Sequence, residues 1–460
     1  MTATDESTQY GTSVQELIEL LSIPSISSLP EHSGDVRAAA EWVAARLKRA
    51  GIENVQIMET GGHPAVYGDW LHAPDKPAIL VYGHFDVQPA DPLDLWETGP
   101  FTPTVRGGRV YARGASDMKG SLLAPILAAE QLLARDGTLP VNLKFIFEGE
   151  EEIGSPSLPA FVAQHSDLLA ADLVINADGL QFSEDRPNLV LALRGGCGVQ
   201  IDIKGTAFDV HSGLFGGAAP NAAQALVELL SSMHTPDGAV AVAGFYDDVV
   251  PLSPADRQAI AESSSSEESI QAELGVDALP GEPGYTAAER IGARPTLEIN
   301  GLWGGFQGVG VKTVIPSEAH AKITCRLVAN QDPVKIVEAI RRHVESHTPP
   351  GVTATVTPLP FRALPYLMER GHWGNRAAAE VLSGIFGNEP YYTRVGGSVP
   401  VCETFLTSLG TYSVSFGWGL PDERMHSPNE FLRLNSFDRA QQAWPALLQQ
   451  LAESAPERSV

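Results

Sequence analysis

Two textures alternate along the chain. Up to about Asp178, segments with apolar residues every three or four positions alternate with short, unbroken apolar runs. "TSVQELIELLSI" and "DVRAAAEWVAARLKRAG" carry the helical period, with Gly51 as a stop, and "KGSLLAPILAAEQLLARDG" is a helix closed by Asp136-Gly137. Between them lie "PAILVYGHFD", "VNLKFIFEGEEE" and "ADLVINADG", each an apolar strand running into polar or acidic residues. Strands separated by helices predict a largely parallel sheet covered on both faces. Ligands of such sheets sit at the carboxyl ends of the strands. Those ends carry His84 and Asp86, Glu150 to Glu152, and Asp178, and Asp117 follows the run "GRVYARGAS".

Near Arg194-Gly195-Gly196 the pattern changes to strict alternation in "CGVQIDIKGTA" and "EAHAKITCRLVAN", with helical "NAAQALVELLSSMH" and "PVKIVEAIRRHVESH" and a further strand in "GVTATVTPLPF". This predicts a smaller α+β domain. Residues 244–294, including "AESSSSEESI", have weak periodicity and read as a long, partly helical surface insertion. From about Gly371 the first texture returns, with the strand "TYSVSFGWG" and a last helix from Phe437 to about Ala452. The predicted organisation is therefore one domain inserted into another: a catalytic-type domain over residues 1–194 and 371–460, interrupted over 195–370.

A length of 460 residues already favours two cores. The net charge of −25 argues against a nucleic-acid surface, and no apolar stretch is long enough to span a membrane. The opening "MTATDESTQYGT" lacks the layout of a signal peptide and reads as a polar tail. Cys197, Cys325 and Cys402 form no pairable ladder; they read as buried thiols in a reducing cytoplasm.

The polar strand ends suggest a chemistry. In "GHFDVQP", His84 could bind a cation through one ring nitrogen while Asp86 accepts from the other. Asp117 in "GASDMKGS" would by itself be a helix N-cap, and His426 in "DERMHSPNE" an exposed histidine. Four glutamates crowd "FEGEEEIGS", where like charges repel. Taken together, two histidines and at least three carboxylates on loops at one sheet edge suit two divalent cations, zinc or manganese, that share a carboxylate. A further carboxylate beside them can act as general base.

"GHFDVQP", "ASDMKGS", "EGEEEIGS", "DVHSGLFGG", "KTVIPSEA", "CRLVANQ", "GGSVP" and "HSPNE", in this order, resemble the motifs of the aminoacylase, carboxypeptidase G and carnosinase metallopeptidase family. The likeness runs from about Val14 to Leu451 and lies nearest the cytosolic carnosinase-type dipeptidases. It implies an α/β zinc-peptidase-like domain with a mostly parallel central sheet, interrupted by an inserted α+β lid and dimerisation domain. It implies two zinc ions per subunit, with His84, Asp117 (shared), Glu152, Asp178 and His426 as ligands and Glu151 as general base. It also implies a cis peptide between Asp117 and Met118. In the lid it implies substrate contacts from His211, Thr313 and Arg326, with Ser398 as a further contact, and a homodimer in which His211 serves the neighbouring subunit's site. It assigns nothing to Glu148 and Glu150, which read as field-setting or solvated.

Within that family, "DVQP" after His84 resembles the dipeptidase pattern, and an aspartate at 178 and the long insertion resemble the larger dipeptidases too, so the resemblance implies a metal-dependent dipeptidase over an acyl-amino-acid deacylase. A di-zinc deacylase or carboxypeptidase is the alternative. A metal-binding relative without catalysis is a third reading, opposed by the presence of Glu151.

Overall fold

The structure, a computed structural model, describes residues 11–397 and 400–456. The first ten residues of the polar N-terminal stretch and Ser398 lie outside them. Two compact units divide the described chain. One takes the residues up to Val190, then Met368–Tyr392, then those from Pro400 onward; the other takes Leu191–Leu367 and the stretch from Thr393.

The first unit is built on a six-stranded sheet in the order Glu53–Met58, Ala65–Trp70, Asn142–Glu148, Ala78–His84, Leu173–Asn176, Ser413–Ser415. The last four strands run parallel; the first two join antiparallel at one edge. The central strands are buried almost throughout, as their unbroken apolar runs predicted. Helices Gly120–Asp136 and Leu434–Ser454 pack on each other, the first closed by Gly137 in the left-handed conformation (φ 70°). A small antiparallel sheet of three-residue strands, Phe431–Arg433, Arg109–Tyr111 and Thr104–Arg106, carries no readable periodicity and was not anticipated.

The second unit is a four-stranded antiparallel sheet, Thr296–Gly304, Glu318–Leu327, Gly195–Lys204, Thr353–Ala363. Alternate residues of Glu318–Leu327 are buried, and helices Ala222–Ser231 and Pro333–His347 pack their apolar stripes on this sheet. The insertion folds into three short helices, Pro254–Ser263, Glu267–Leu274 and Ala287–Ala293. Two of them open with capping boxes, Ser253 with Asp256 and Thr286 with Glu289. Buried Glu289 pairs with Arg257 at 2.9 Å.

Candidate metal centre

Parallel pairing places His84 opposite Glu148 on one side, and on the other sets its strand beside the one that ends at Asn176, two residues before Asp178. Three strand ends thus deliver their polar residues to one place. The backbones are close enough at Asp178 that a Cβ on Gly417 would lie 2.2 Å from the Gly179 carbonyl oxygen.

His84 is wholly buried, with Nδ1 3.1 Å from the carbonyl oxygen of Asp86 and 3.4 Å from its carboxylate. A proton on Nδ1 satisfies those acceptors and leaves Nε2 with its lone pair. Nε2 lies 3.2 Å from Oδ1 of Asp117, 3.9 Å from Oδ2 of Asp178 and 4.0 Å from Oε2 of Glu151. It nevertheless makes no hydrogen bond of acceptable geometry. A lone pair facing three carboxylates is repulsive unless positive charge lies among them, which is the donor arrangement a divalent cation requires.

The other oxygen of Asp117, Oδ2, faces His426 Nε2 at 2.9 Å, and that nitrogen is 3.2 Å from Oε2 of Glu152. Two groups able to hold a metal ion therefore share Asp117: His84, Asp117 and Asp178, and Asp117, Glu152 and His426, with the donor atoms of each group within 4.8 Å of one another. Asp117 does not cap the following helix, which has no side-chain cap. The Asp117–Met118 peptide is cis.

The residues around these sets are chiefly acceptors for backbone N–H groups. The two carboxylate oxygens of Asp86 accept from the amides of Glu151 at 3.2 Å and Glu152 at 3.1 Å, so Asp86 orients His84 and the glutamate loop together. Gln88 donates to Glu152 Oε2 at 3.0 Å. Of the field-setting and solvated roles expected for the two glutamates without an assignment, burial rules out the solvated one. Glu148 is 3% exposed and accepts from Tyr82 at 2.6 Å and Ser155 at 2.8 Å. Glu150 is 5% exposed and accepts from the amides of His63 at 2.9 Å and Ser157 at 3.2 Å. They hold the loop that presents Glu151 and Glu152.

Two further buried carboxylates escaped sequence reasoning. Glu430 accepts from the amides of Gly114, Ser116 and Asp117 at 3.0, 3.0 and 3.1 Å and from Arg113 at 2.6 Å. Glu423 accepts from the Ser116 hydroxyl at 2.6 Å. Their signal was their place in "DERMHSPNE", beside His426.

Electrostatics follow from this crowding. Burial raises the Glu151 carboxyl to about 8; His84 opposes that shift, while Asp178, Glu152 and Asp117 add to it. Burial and the Asp117 charge raise Asp178 to about 6. Hydrogen bonds to Asp117 and Glu152 lift His426 to about 10. His84 is held well above its usual value: burial acts to lower it, but the nearby carboxylates of Asp117 and Asp86, with Glu151 beyond them, favour its charged form and win. For Asp117 burial pushes upward, yet the two histidines hold it well below the ordinary carboxylate range. Burial raises Glu430 to about 7 while Arg113 pulls it back. Without a cation, the cluster gathers protons in its place.

His211, Thr313 and Arg326 lie in the second unit. His211 pairs with Val314 in a two-stranded ribbon, and the amide of Ser212 donates to the Thr313 carbonyl at 3.0 Å, so these two candidates are neighbours. His211 is exposed, and its Nδ1 accepts from the Gly213 amide at 2.9 Å, which leaves the ring proton on Nε2. Arg326 is on the four-stranded sheet, half-buried, its guanidinium 5.5 Å from the centre of the Phe361 ring. It lines a cavity of about 960 Å³ together with Arg194, Glu298 and the helices of the insertion.

The sequence profile of peptidase family M20/M25/M40 matches residues 80–450. The chain is 31% identical over 461 residues to the Cys-Gly metallodipeptidase dug1 of Schizosaccharomyces pombe, covering 96% of each chain. It is 30% identical over 394 residues to the human Beta-Ala-His dipeptidase, covering 85% of this chain and 78% of the relative. Among solved structures, an M20 family metallo-carboxypeptidase from Sulfolobus solfataricus superposes with a TM-score of 0.79 at 31% identity, over 96% of this chain and all of the other.

Proposed function

The chain belongs to peptidase family M20/M25/M40, and from that premise we propose that it is a metal-dependent dipeptidase whose two divalent cations share Asp117. The observation that carries this reading is the pair of ligand sets meeting on one carboxylate, with Glu151 beside them but in neither. The dipeptidase relatives support the substrate class.

The cations, zinc or manganese, would be held by His84, Asp117 and Asp178 and by Asp117, Glu152 and His426, and would supply Lewis acidity to the peptide carbonyl and acidify the attacking water. Glu151 accepts the proton of that water and returns it to the leaving amine. A base needs a proton affinity near the working pH, and burial among carboxylates raises that of Glu151. Asp86 acts through others, fixing the ring of His84 and the amides of Glu151 and Glu152.

His211, Thr313, Arg326 and Ser398 are the substrate contacts of this reading. The planar guanidinium of Arg326 suits a substrate carboxylate. The protein works as a cytoplasmic homodimer formed through the second unit, with the Nε2–H of His211 directed at the partner's substrate carbonyl. Support comes from the exposed Phe208, Leu214, Val309 and Val311 on and around the His211 ribbon, and from the three buried free thiols. Loss of one oxyanion donor costs on the order of 10²–10³ in kcat, so His211→Ala is expected to fall by that much. Mixing inactive His211→Ala and Glu151→Gln chains should restore activity, because one site of each heterodimer then carries neither defect. No recovery despite confirmed subunit exchange would exclude action across the dimer.

A carboxypeptidase is the second reading, favoured by the Sulfolobus relative. One panel separates them: dipeptides, longer peptides and N-acyl-amino-acids, assayed on chain reconstituted with Zn²⁺ or Mn²⁺. Dipeptide cleavage that chelation abolishes and metal restores is expected. A preference for longer peptides or acylated amino acids would replace the dipeptidase reading.

A further inference from the structure

The loop that brings His426 to the site is held in an uncommon conformation. Arg424, His426 and Asn429 all have left-handed backbones (φ 58°, 59° and 61°), which non-glycine residues keep only when their surroundings impose it. Strand Phe431–Arg433, paired with Arg109–Tyr111, begins just after this loop. At the junction stands Glu430, fully buried, reaching the turn that carries Asp117. One of its oxygens accepts from the amides of Ser116 and Asp117, and the other from Gly114 and Arg113. One carboxylate thus ties the turn of the shared ligand to the loop of the exposed one, though they lie about three hundred residues apart in sequence.

We infer that Glu430 is a positioning residue for the metal pair: with Arg113 as counter-ion, it fixes the Asp117 turn against the His426 loop so that both cations are retained. This rests on the two-cation reading above. The mechanism is geometric. The amide of Asp117 is held from behind, which sets the direction of its side chain, while the same anchor limits where His426 can lie. Neutralising Glu430 weakens these bonds without removing a ligand.

The test measures transfer of Zn²⁺ from the metal-loaded full chain to a chromogenic chelator, together with kcat, KM and the melting temperature. Glu430→Gln alone leaves Arg113 buried without its anion, so the paired variant Glu430→Gln/Arg113→Met is made beside it. Glu16→Gln/Arg46→Met, which removes a buried ion pair of 2.7 Å elsewhere in the first unit, controls for general destabilisation. Loss of a partner behind a metal ligand typically costs about 10–100-fold in metal affinity or activity. Transfer from both Glu430 variants is expected to accelerate by that factor and kcat to fall, with the control releasing zinc at the wild-type rate even where its melting temperature drops. Wild-type release rates in the Glu430 variants, from a wild-type chain that carries two ions, would overturn the inference and leave the dipeptidase reading standing. Failure of the paired variant to fold would also overturn it, by making Glu430 part of the core rather than of the site. Fewer than two ions in the wild type would remove both.

Discussion

His84 and His426 approach the same carboxylate under opposite conditions. His84 is wholly buried at the end of a central strand, its Nδ1 engaged by Asp86 and its Nε2 among carboxylates. His426 has a side chain 53% exposed and stands on a loop with three left-handed non-glycine residues. The first ligand set is therefore built by the sheet: parallel register alone brings His84 alongside Glu148 and close to Asp178. The second is assembled by a loop whose conformation must be imposed, and its histidine faces solvent. Rigidity and access are divided between two sets that share Asp117.

The largest expected effect concerns the residue that belongs to neither. Glu151→Gln should lower kcat by about 10²–10⁴, the usual worth of a positioned acid–base group. Metal content should stay at two ions, because Glu151 is outside both sets. Near-normal turnover with both ions bound would remove Glu151 from the proton path. Loss of an ion with the activity would make it a ligand and redraw the division between the sets.

The sheet-built half of this site was legible in the sequence because apolar runs ending in polar residues specify parallel strands, and such strands present their carboxyl ends together. Nothing in the order of residues, however, says which carboxylate faces a cation and which faces an amide. Glu148 and Glu150 looked like excess charge, yet each is buried and holds backbone or hydroxyl donors of the glutamate loop or its neighbours. Glu423 and Glu430 were missed for the same reason: their partners are amides, a hydroxyl and a guanidinium, several of them some three hundred residues distant. The three-residue strands that align them are too short for a period of two to be visible. In the second unit, alternation disclosed the long strands, while the helices of the insertion lacked a strong apolar stripe. Their capping residues, Ser253 with Asp256 and Thr286 with Glu289, were the overlooked signal.

Removing each histidine sharpens the contrast. His84→Ala takes a ligand from the buried set and leaves Asp86 and Asp117 without their buried partner, so it should lose its ion and a substantial part of its stability. His426→Ala should lose the exposed ion, keep the buried one, and melt close to the wild type. In both variants the affected ion should weaken by more than the ~10–100-fold typical of residues behind a ligand. Metal counts after dialysis and a thermal melt decide the matter; equal losses of metal and stability would erase the difference between the sets.

The smallest effect is in the pH dependence of the metal-free chain, and its sign is fixed by the raised carboxyls. Glu151 is lifted from 4.5 to about 8 and Asp178 from 3.8 to about 6, burial being the first cause in each. A folded state that binds protons more tightly than the unfolded one is favoured at low pH, and that advantage disappears as pH rises through the folded values. His426, raised to about 10 by its bonds to Asp117 and Glu152, has the same sign. Asp117 has the opposite sign, but its shift acts only below the ordinary carboxylate range. The metal-free chain should therefore lose stability between pH 5 and 8, by an amount worth a few degrees of melting temperature. Cations take the place of those protons, so the metal-loaded chain should be much less affected, and metal binding should release protons. Melting curves of both forms at pH 6 and pH 8 provide the measurement. The gap between them should widen at pH 8; a gap that narrows would mean that these carboxyls are already ionised in the metal-free site, and that the cluster does not hold protons where the cations belong.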